Sequence, residues 1–309
     1  MDIFDAEATA RLLPYPDLAR AVAAILALRR KGQVQAPARQ HMALSQEGML
    51  LIMPAATGDM AITKLITVHP KNSGLGLPTI QGSVLCLDPA TGQPLGLLDG
   101  PTVTARRTAA LTLLAASHLA APQVAAKGPL LVVGAGTQAR AHLEAFALGL
   151  GFTEALVCSR SLPRAQTLAR EAEAWGMRVR VKESPAEVLD EALADVRIVV
   201  TATTSPTPVL PGQVPDGCFI AAVGAYTPHT AEIPASLVRR CTLYVDTLEG
   251  AMREAGDLLL AGVDFKAVTP LREALAKARP EPGPAPVLFK SVGHAMFDLA
   301  AARLAFGRG

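Results

Sequence analysis

Between residues 16 and 30 the apolar positions Leu18, Val22, Ile25 and Leu26 recur at helical spacing behind Pro16, and Gly32 follows. The pattern predicts a helix opened by proline and stopped by glycine. From Val34 to Asp99 the texture changes. Short apolar runs at 49–53, 62–68, 83–87 and 95–98, bounded by Pro, Gly and Asn, predict antiparallel strands, and a further strand is expected around Arg39. Asp88-Pro89-Ala90-Thr91-Gly92 has turn chemistry. Pro101 opens an Ala-rich helix reaching about Leu119. A second region starts at Gly128. Apolar runs at 130–133, 155–159, 178–181, 198–201, 218–223 and 242–246 predict buried strands, with helical segments between most of them. Such alternation argues for a parallel, doubly wound sheet. A Pro-rich loop at 279–286, a strand at 287–290 and a helix at 293–306 complete the chain.

Composition narrows the class. The chain has 309 residues, and at about 150 per domain two domains are expected. Half the residues are hydrophobic and 18% are charged, which excludes a disordered chain. A net charge of +2 gives no general attraction to nucleic acid or anionic membrane. Cys86, Cys158, Cys218 and Cys241 form no C-x-x-C pair, so neither a disulfide framework nor a metal site is expected. The start carries Asp2, Asp5 and Glu7 without an apolar run, unlike a signal peptide. Residues 109–126 lack formal charge but are rich in Ala and contain His118, Pro122 and Gln123. They read as a buried helix stopping near Pro122, not as a membrane span. The expected setting is the cytoplasm, with free thiols.

The most informative stretch is Gly134-Ala135-Gly136-Thr137-Gln138-Ala139, a G-x-G-x-x-A run after a predicted strand and before a predicted helix. Gly134 permits the tight turn, Gly136 lets backbone approach a pyrophosphate, and Ala139 allows close helix–strand packing. The alternative is a glycine turn with no ligand. An NAD site has an acidic residue about 20 positions on. Here that position reads Ser159-Arg160-Ser161. Arg160 could pair with a 2′-phosphate, and the two serines could donate to it. NADPH is therefore the expected cofactor, with NADH bound more weakly. The alternative for Arg160 is a surface residue at a helix start.

Arg39, Lys64 and Arg107 fall respectively near a strand, inside an apolar strand and in the first turns of a helix. Each alone reads more simply as structural, a Lys at an edge or an Arg against the helix dipole. Together they point to a site for an anionic substrate beside the cofactor. The six histidines lack metal-ligand spacing, and only His229, after the fifth strand of the second region, is kept as a weak candidate.

The chain resembles the ornithine cyclodeaminase/mu-crystallin family over essentially its whole length. The resemblance is carried by Pro37-Ala38-Arg39, Thr63-Lys64-Leu65, Asp99-Gly100 with Thr104-Ala105-Arg106-Arg107-Thr108-Ala109-Ala110, and the glycine run. Further on it is carried by Ala222-Val223-Gly224-Ala225, Tyr244-Val245-Asp246 and Lys290-Ser291-Val292-Gly293. It implies a Rossmann domain, 121–286, inserted into an α+β substrate-binding and dimerisation domain, 1–120 plus 287–309, within a homodimer. It also implies that Arg39 and Lys64 hold a substrate carboxylate and that Arg107 lies at the substrate–cofactor junction. Thr79 and Gly293 fall with the substrate set. Thr79, Thr137, Gln138, Val223 and Ser291 match cofactor contacts, and Thr201 is expected with them.

One departure separates activities within the family. Cyclodeaminases follow the fifth strand with Gly-Gly-Asp, whose Asp does the amine chemistry, whereas Tyr226 stands at the matching position here. The strand-two Asp that accompanies NAD is also missing, and Ser159-Arg160-Ser161 resembles the Asn-Arg-Thr of mu-crystallin. The resemblance therefore implies an NADPH-dependent reductase of cyclic imino acids, most like the bacterial Δ1-pyrroline-2-carboxylate/Δ1-piperideine-2-carboxylate reductases. Lys64 is the expected residue for any proton role. An alanine dehydrogenase, an ornithine cyclodeaminase and a non-catalytic NADPH-binding protein are the alternatives.

Overall fold

The computed structural model describes residues 1–120, 128–183 and 196–308. The helix end expected near Pro122 lies outside the described residues. Two compact units divide the chain: Met1–Leu111 with His294–Gly309, and Thr112–Gly293.

The first unit holds a six-stranded sheet built from β1 (Asp2–Ile3), β2 (Gln40–Ala43), β3 (Met49–Ala56), β4 (Ala61–Val68), β5 (Ile80–Leu87) and β6 (Pro94–Asp99). Their order is β1-β6-β5-β4-β3-β2. The run β2 to β6 is antiparallel as expected, and β1 joins β6 in parallel. Arg39 lies just before β2, not within it. Two helices precede β2. In α1 (Ala6–Leu12), Asp5 accepts from Ala8 N at 2.8 Å, a cap too short-ranged to stand out beside so little apolar pattern. In α2 (Tyr15–Arg30), Leu18, Val22, Ile25 and Leu26 form the buried stripe. The β4 strand alternates, placing Ile62, Lys64 and Ile66 on the buried face and Leu65 outward. The helix α3 (Gly100–Leu119) starts where Asp99 accepts from Thr102 N at 2.8 Å. It puts Arg107 two turns inside, so the helix-dipole objection to an Arg in a first turn does not apply. The C-terminal helix, Ala295–Ala305, is buried over its first eight residues.

The second unit is an eight-stranded, wholly parallel sheet. Its strands are β7 (Leu130–Val133), β8 (Glu154–Cys158), β9 (Arg178–Lys182), β10 (Ile198–Thr201), β11 (Phe219–Ala222), β12 (Thr242–Val245), β13 (Thr269–Pro270) and β14 (Val287–Lys290). The order β13-β12-β14-β11-β10-β7-β8-β9 reverses direction at β7/β10, a topological switch point. The helices α4 (Thr137–Leu150) and α5 (Leu162–Glu173) follow β7 and β8. Strands β7, β10 and β11 are buried throughout, as a sheet covered on both faces requires. Two expectations need correction. The strand at 178–181 is the sheet's edge, and its charged residues Arg178, Arg180 and Lys182 are exposed. The strand at 287–290 was assigned to the substrate domain, but it pairs in parallel with β11 and β12. That pairing places 287–293 in the second unit, and only the C-terminal helix belongs with the first.

Candidate functional site

In the second unit the C-terminal ends of β7, β8 and β10 open onto a groove of about 630 Å³. Gly134 follows β7 with φ at +121°, and a Cβ there would sit 2.4 Å from the Ala202 carbonyl oxygen. Only glycine takes that conformation at that approach. Gly136 caps α4, and a Cβ on it would meet no protein atom within 4 Å. Space above a helix N-terminus is where a pyrophosphate is received. Ala139, in the first turn of α4, is fully buried. Ser159, Arg160 and Ser161, at the end of β8, line the same groove, and Arg160 is exposed to it. These residues suit a dinucleotide whose phosphates lie over the glycine turn.

The structure adds lining residues that the sequence reading did not name. Arg164, one helical turn after Arg160, faces the groove, as do Thr203 and Ser205. The spacing of four between the two arginines was visible in the sequence. Glu183 also faces it, brought from the end of β9. Its charge comes from the strand next to β8, a neighbour that no local motif could reveal.

Thr137 lines an adjoining pocket with Arg140 and Arg164. Gln138 Oε1 and Thr201 Oγ1 are buried without a hydrogen-bond partner among the described residues, so both side chains have acceptor capacity to offer a ligand. Val223 N donates to Thr201 O at 2.9 Å at the end of β11. Beyond β14, Asp246 Oδ2 accepts from Ser291 Oγ at 2.8 Å and from the N–H groups of Val292 and Gly293 at 2.9 and 2.7 Å. This explains the Asp246 and Lys290–Gly293 motifs: one carboxylate shapes the turn that carries Ser291.

A second buried carboxylate, Glu232, escaped the sequence reading. Its Oε1 accepts from Thr203 N and Oγ1 at 2.7 and 2.9 Å, and its Oε2 from Gly224 N and Ala225 N at 2.7 and 3.0 Å. It ties the loop after β10 to the loop after β11. Asp257 accepts from Glu232 N at 2.6 Å and pairs with Lys290 at 2.8 Å, while Lys290 donates to Ala225 O at 2.5 Å. Tyr226 follows in that loop, 48% exposed, and His229 stands exposed in the next turn.

In the first unit, Lys64 and Arg107 meet on one carboxylate. Lys64 Nζ lies 2.7 Å from Asp298 Oδ2, and Arg107 Nε donates to Asp298 Oδ1 at 3.1 Å. Lys64 also donates to Thr104 Oγ1 at 3.3 Å. All three charged side chains are buried. Burial is the main force on Lys64, and the Arg107 and Arg39 charges act in the same direction; against the opposing pull of Asp298, its pKa falls from 10.5 to about 8. Conversely, the Lys64 and Arg107 charges hold the Asp298 carboxyl below its ordinary value although burial opposes them. Arg107 Nη1 is buried and has no partner among the described residues. Two buried cations thus share one anion, and a third cation, Arg39, acts on Lys64. A substrate carboxylate would complete this set.

The neighbouring arginine has another duty: Arg106 lies over the Tyr15 ring at 3.9 Å and donates to Leu13 O at 2.8 Å. Thr79 is exposed ahead of β5 and joins no hydrogen bond or ion pair of the Lys64 cluster. Asp298 was not anticipated. Its signal was an acid inside the apolar run Ala295-Met296-Phe297-Asp298-Leu299-Ala300.

A parallel sheet with a glycine turn and a groove at its switch point defines a Rossmann-type dinucleotide fold, accompanied by an α+β unit with a buried cationic cluster. The chain belongs to the ornithine cyclodeaminase/mu-crystallin family, whose model matches residues 3–308. It is 42% identical to the Δ1-pyrroline-2-carboxylate/Δ1-piperideine-2-carboxylate reductase of Azospirillum brasilense, covering 98% of this chain and 94% of the relative. It is 36% identical to the ketimine reductase mu-crystallin of Mus musculus, covering 89% and 85%. Among solved structures it is similar to the Δ1-pyrroline-2-carboxylate reductase of Thermococcus litoralis in complex with NADH and L-proline. There the TM-score is 0.89 at 28% identity, covering 100% of this chain and 97% of that one.

Proposed function

We propose that the chain reduces the C=N bond of cyclic imino acids, converting Δ1-pyrroline-2-carboxylate to L-proline and Δ1-piperideine-2-carboxylate to L-pipecolate, with NADPH preferred over NADH. The observation that carries this reading is the pairing of two buried cations with one carboxylate at Lys64, Arg107 and Asp298, in a chain 42% identical to such a reductase. When bound, NADPH would supply a hydride to C2 of the protonated ring imine, the π pair of the C=N bond becoming the nitrogen lone pair of the amine. Arg39, Lys64 and Arg107 hold the substrate carboxylate; Arg107 offers Nη1, since Nε is taken by Asp298. A carboxylate fixed on three cations orients the flat ring, and positioning of this kind is the main part of catalysis when the electrophile is already charged. Lys64, with a pKa of about 8, is mostly protonated at neutral pH and can hold or return a proton there.

On the cofactor side, Gly134, Gly136, Thr137, Gln138 and Ala139 receive the pyrophosphate. Ser159, Arg160 and Ser161 take the 2′-phosphate, and Thr201, Val223 and Ser291 line the path toward the nicotinamide. Gly293 and Thr79 are assigned to the substrate side by resemblance alone. Tyr226 in place of an acid disfavours ornithine cyclisation, because a phenol does not supply the carboxylate that would take the amine proton.

We also propose a cytoplasmic homodimer. Met42, Leu50, Ile52, Leu65 and Leu85 share the outward face of the first unit's sheet by register, and Met42 and Leu65 are 53% and 45% exposed. An apolar face of this kind suits a second copy. Among the described residues no helix is long and apolar enough to cross a membrane.

The test runs two assays on the purified chain. NADPH loss is followed with each ring imine and with pyruvate plus ammonia, and ammonia release is followed with ornithine. Imine-dependent NADPH loss without ammonia from ornithine is the expected result. Ammonia release with no imine-dependent oxidation would overturn the assignment.

A further inference from the structure

The catalytic reading uses Lys64 and Arg107 but leaves open what holds them. Their elements are far apart in sequence: Lys64 is on β4, Arg107 two turns into α3 and Asp298 on the C-terminal helix. Asp298 is fully buried, and each of its oxygens meets a different cation, at 2.7 and 3.1 Å. We propose that Asp298 is the positioning residue of the substrate site: it fixes Lys64 and Arg107 relative to each other and keeps the proton on Lys64. This rests on the reading that those two side chains bind the substrate carboxylate.

The groups around Lys64 define the electrostatics. Asp298 approaches from the C-terminal helix, Arg107 and the Thr104 hydroxyl from α3, and Arg39 from the segment before β2. The register partners of Lys64 on β3 and β5 are Met53 and Val84, which carry no charge. Among the described residues, Asp298 is the carboxylate that holds the charge on Lys64 against burial and two guanidinium groups. Remove its charge, and burial and the two guanidinium groups drive the proton off. A neutral Lys64 no longer offers an ammonium to the carboxylate, so substrate affinity falls at the pH where the proton leaves. The acid in the buried stretch of the C-terminal helix therefore sets the alkaline limit of the reaction.

The test compares pH profiles of kcat/KM for the imine in the full-length wild type, Asp298→Asn and Asp298→Glu, with NADPH affinity measured separately. The wild type is expected to lose kcat/KM above about pH 8. In Asp298→Asn that limb moves toward lower pH by at least about one unit, and KM at neutral pH rises about tenfold or more while NADPH affinity is retained. Asp298→Glu keeps the charge but displaces it, so its limb stays near the wild-type position while KM rises. A limb set by the substrate's own imine proton would not move with residue 298, so an unchanged limb in folded Asp298→Asn overturns the proposal. So does an unchanged KM in both variants. Should neither variant fold, the Lys64 side chain of the wild type is titrated by NMR without substrate, its signal assigned with Lys64→Arg. A midpoint of about 8 or higher supports the proposal, and one below neutral pH, where Asp298 would not be holding the proton against burial, overturns it. That titration stands even if no imine is reduced, so failure of the substrate assignment and failure of the Asp298 proposal are distinguished.

Discussion

Arg160 is the residue on which the proposed preference for NADPH rests. It and Arg164 line the groove, as does Glu183 with the opposite charge. Arg160→Ala should weaken NADPH by about ten- to hundredfold and NADH little, since a charge-assisted contact to a 2′-phosphate is lost for one cofactor only. Equal loss in fluorescence titrations with both cofactors would contradict this. Arg39→Met, which keeps an apolar stem, should lower kcat/KM for the imine at least tenfold by the same reasoning, with NADPH affinity retained; turnover near wild type would make Arg39 structural. His142 illustrates a polar residue with a packing role. Its ring bonds Gln138 O at 2.7 Å and Thr112 Oγ1 at 2.9 Å, and burial pushes its pKa from 6.5 to about 4. Between those values the unfolded chain binds a proton that the folded one refuses, so stability is lost as pH falls through that window, by up to about 3 kcal/mol. Thermal melts should show the fall from pH 6.5 to 4, and His142→Gln should flatten it.

Elements carry the site through their ends. Glu232 accepts four donors from two loops, so Glu232→Gln would turn an amide NH2 toward backbone N–H groups. A loss of about 2 kcal/mol or more in denaturant midpoint experiments is expected, and a loss below 0.5 would show the loops to be held otherwise. At this scale the sequence was legible where chemistry is local. The glycine turn, the buried runs of β7, β10 and β11 and the stripe of α2 announce themselves by spacing within a dozen residues. Asp298, Glu183 and Glu232 act on partners far along the chain, and a single carboxylate in an apolar or polar run says nothing of what it will meet. The placement of β14 failed for the same reason. Four residues of Val287–Lys290 read as a strand, but parallel pairing with β11 and β12 is a long-range choice that no local pattern encodes.

For the whole molecule, chain topology and charge bear on function differently. The parallel sheet makes a dinucleotide site expected at its switch point, whatever the reaction. The proposed reaction class rests on the cationic cluster of the other unit, where Lys64 and Arg107 share Asp298. Light scattering should report twice the mass of the chain if the outward face of the first sheet binds a second copy, and a charge at Leu65, as in Leu65→Glu, should yield a monomer. The most direct test of the central claim is the stoichiometry of one reaction. Δ1-pyrroline-2-carboxylate and NADPH are incubated with the purified chain, and proline is separated by chirality. One L-proline for each NADPH consumed is the predicted result. NADPH consumed only with pyruvate and ammonia, or no proline at all, would contradict it.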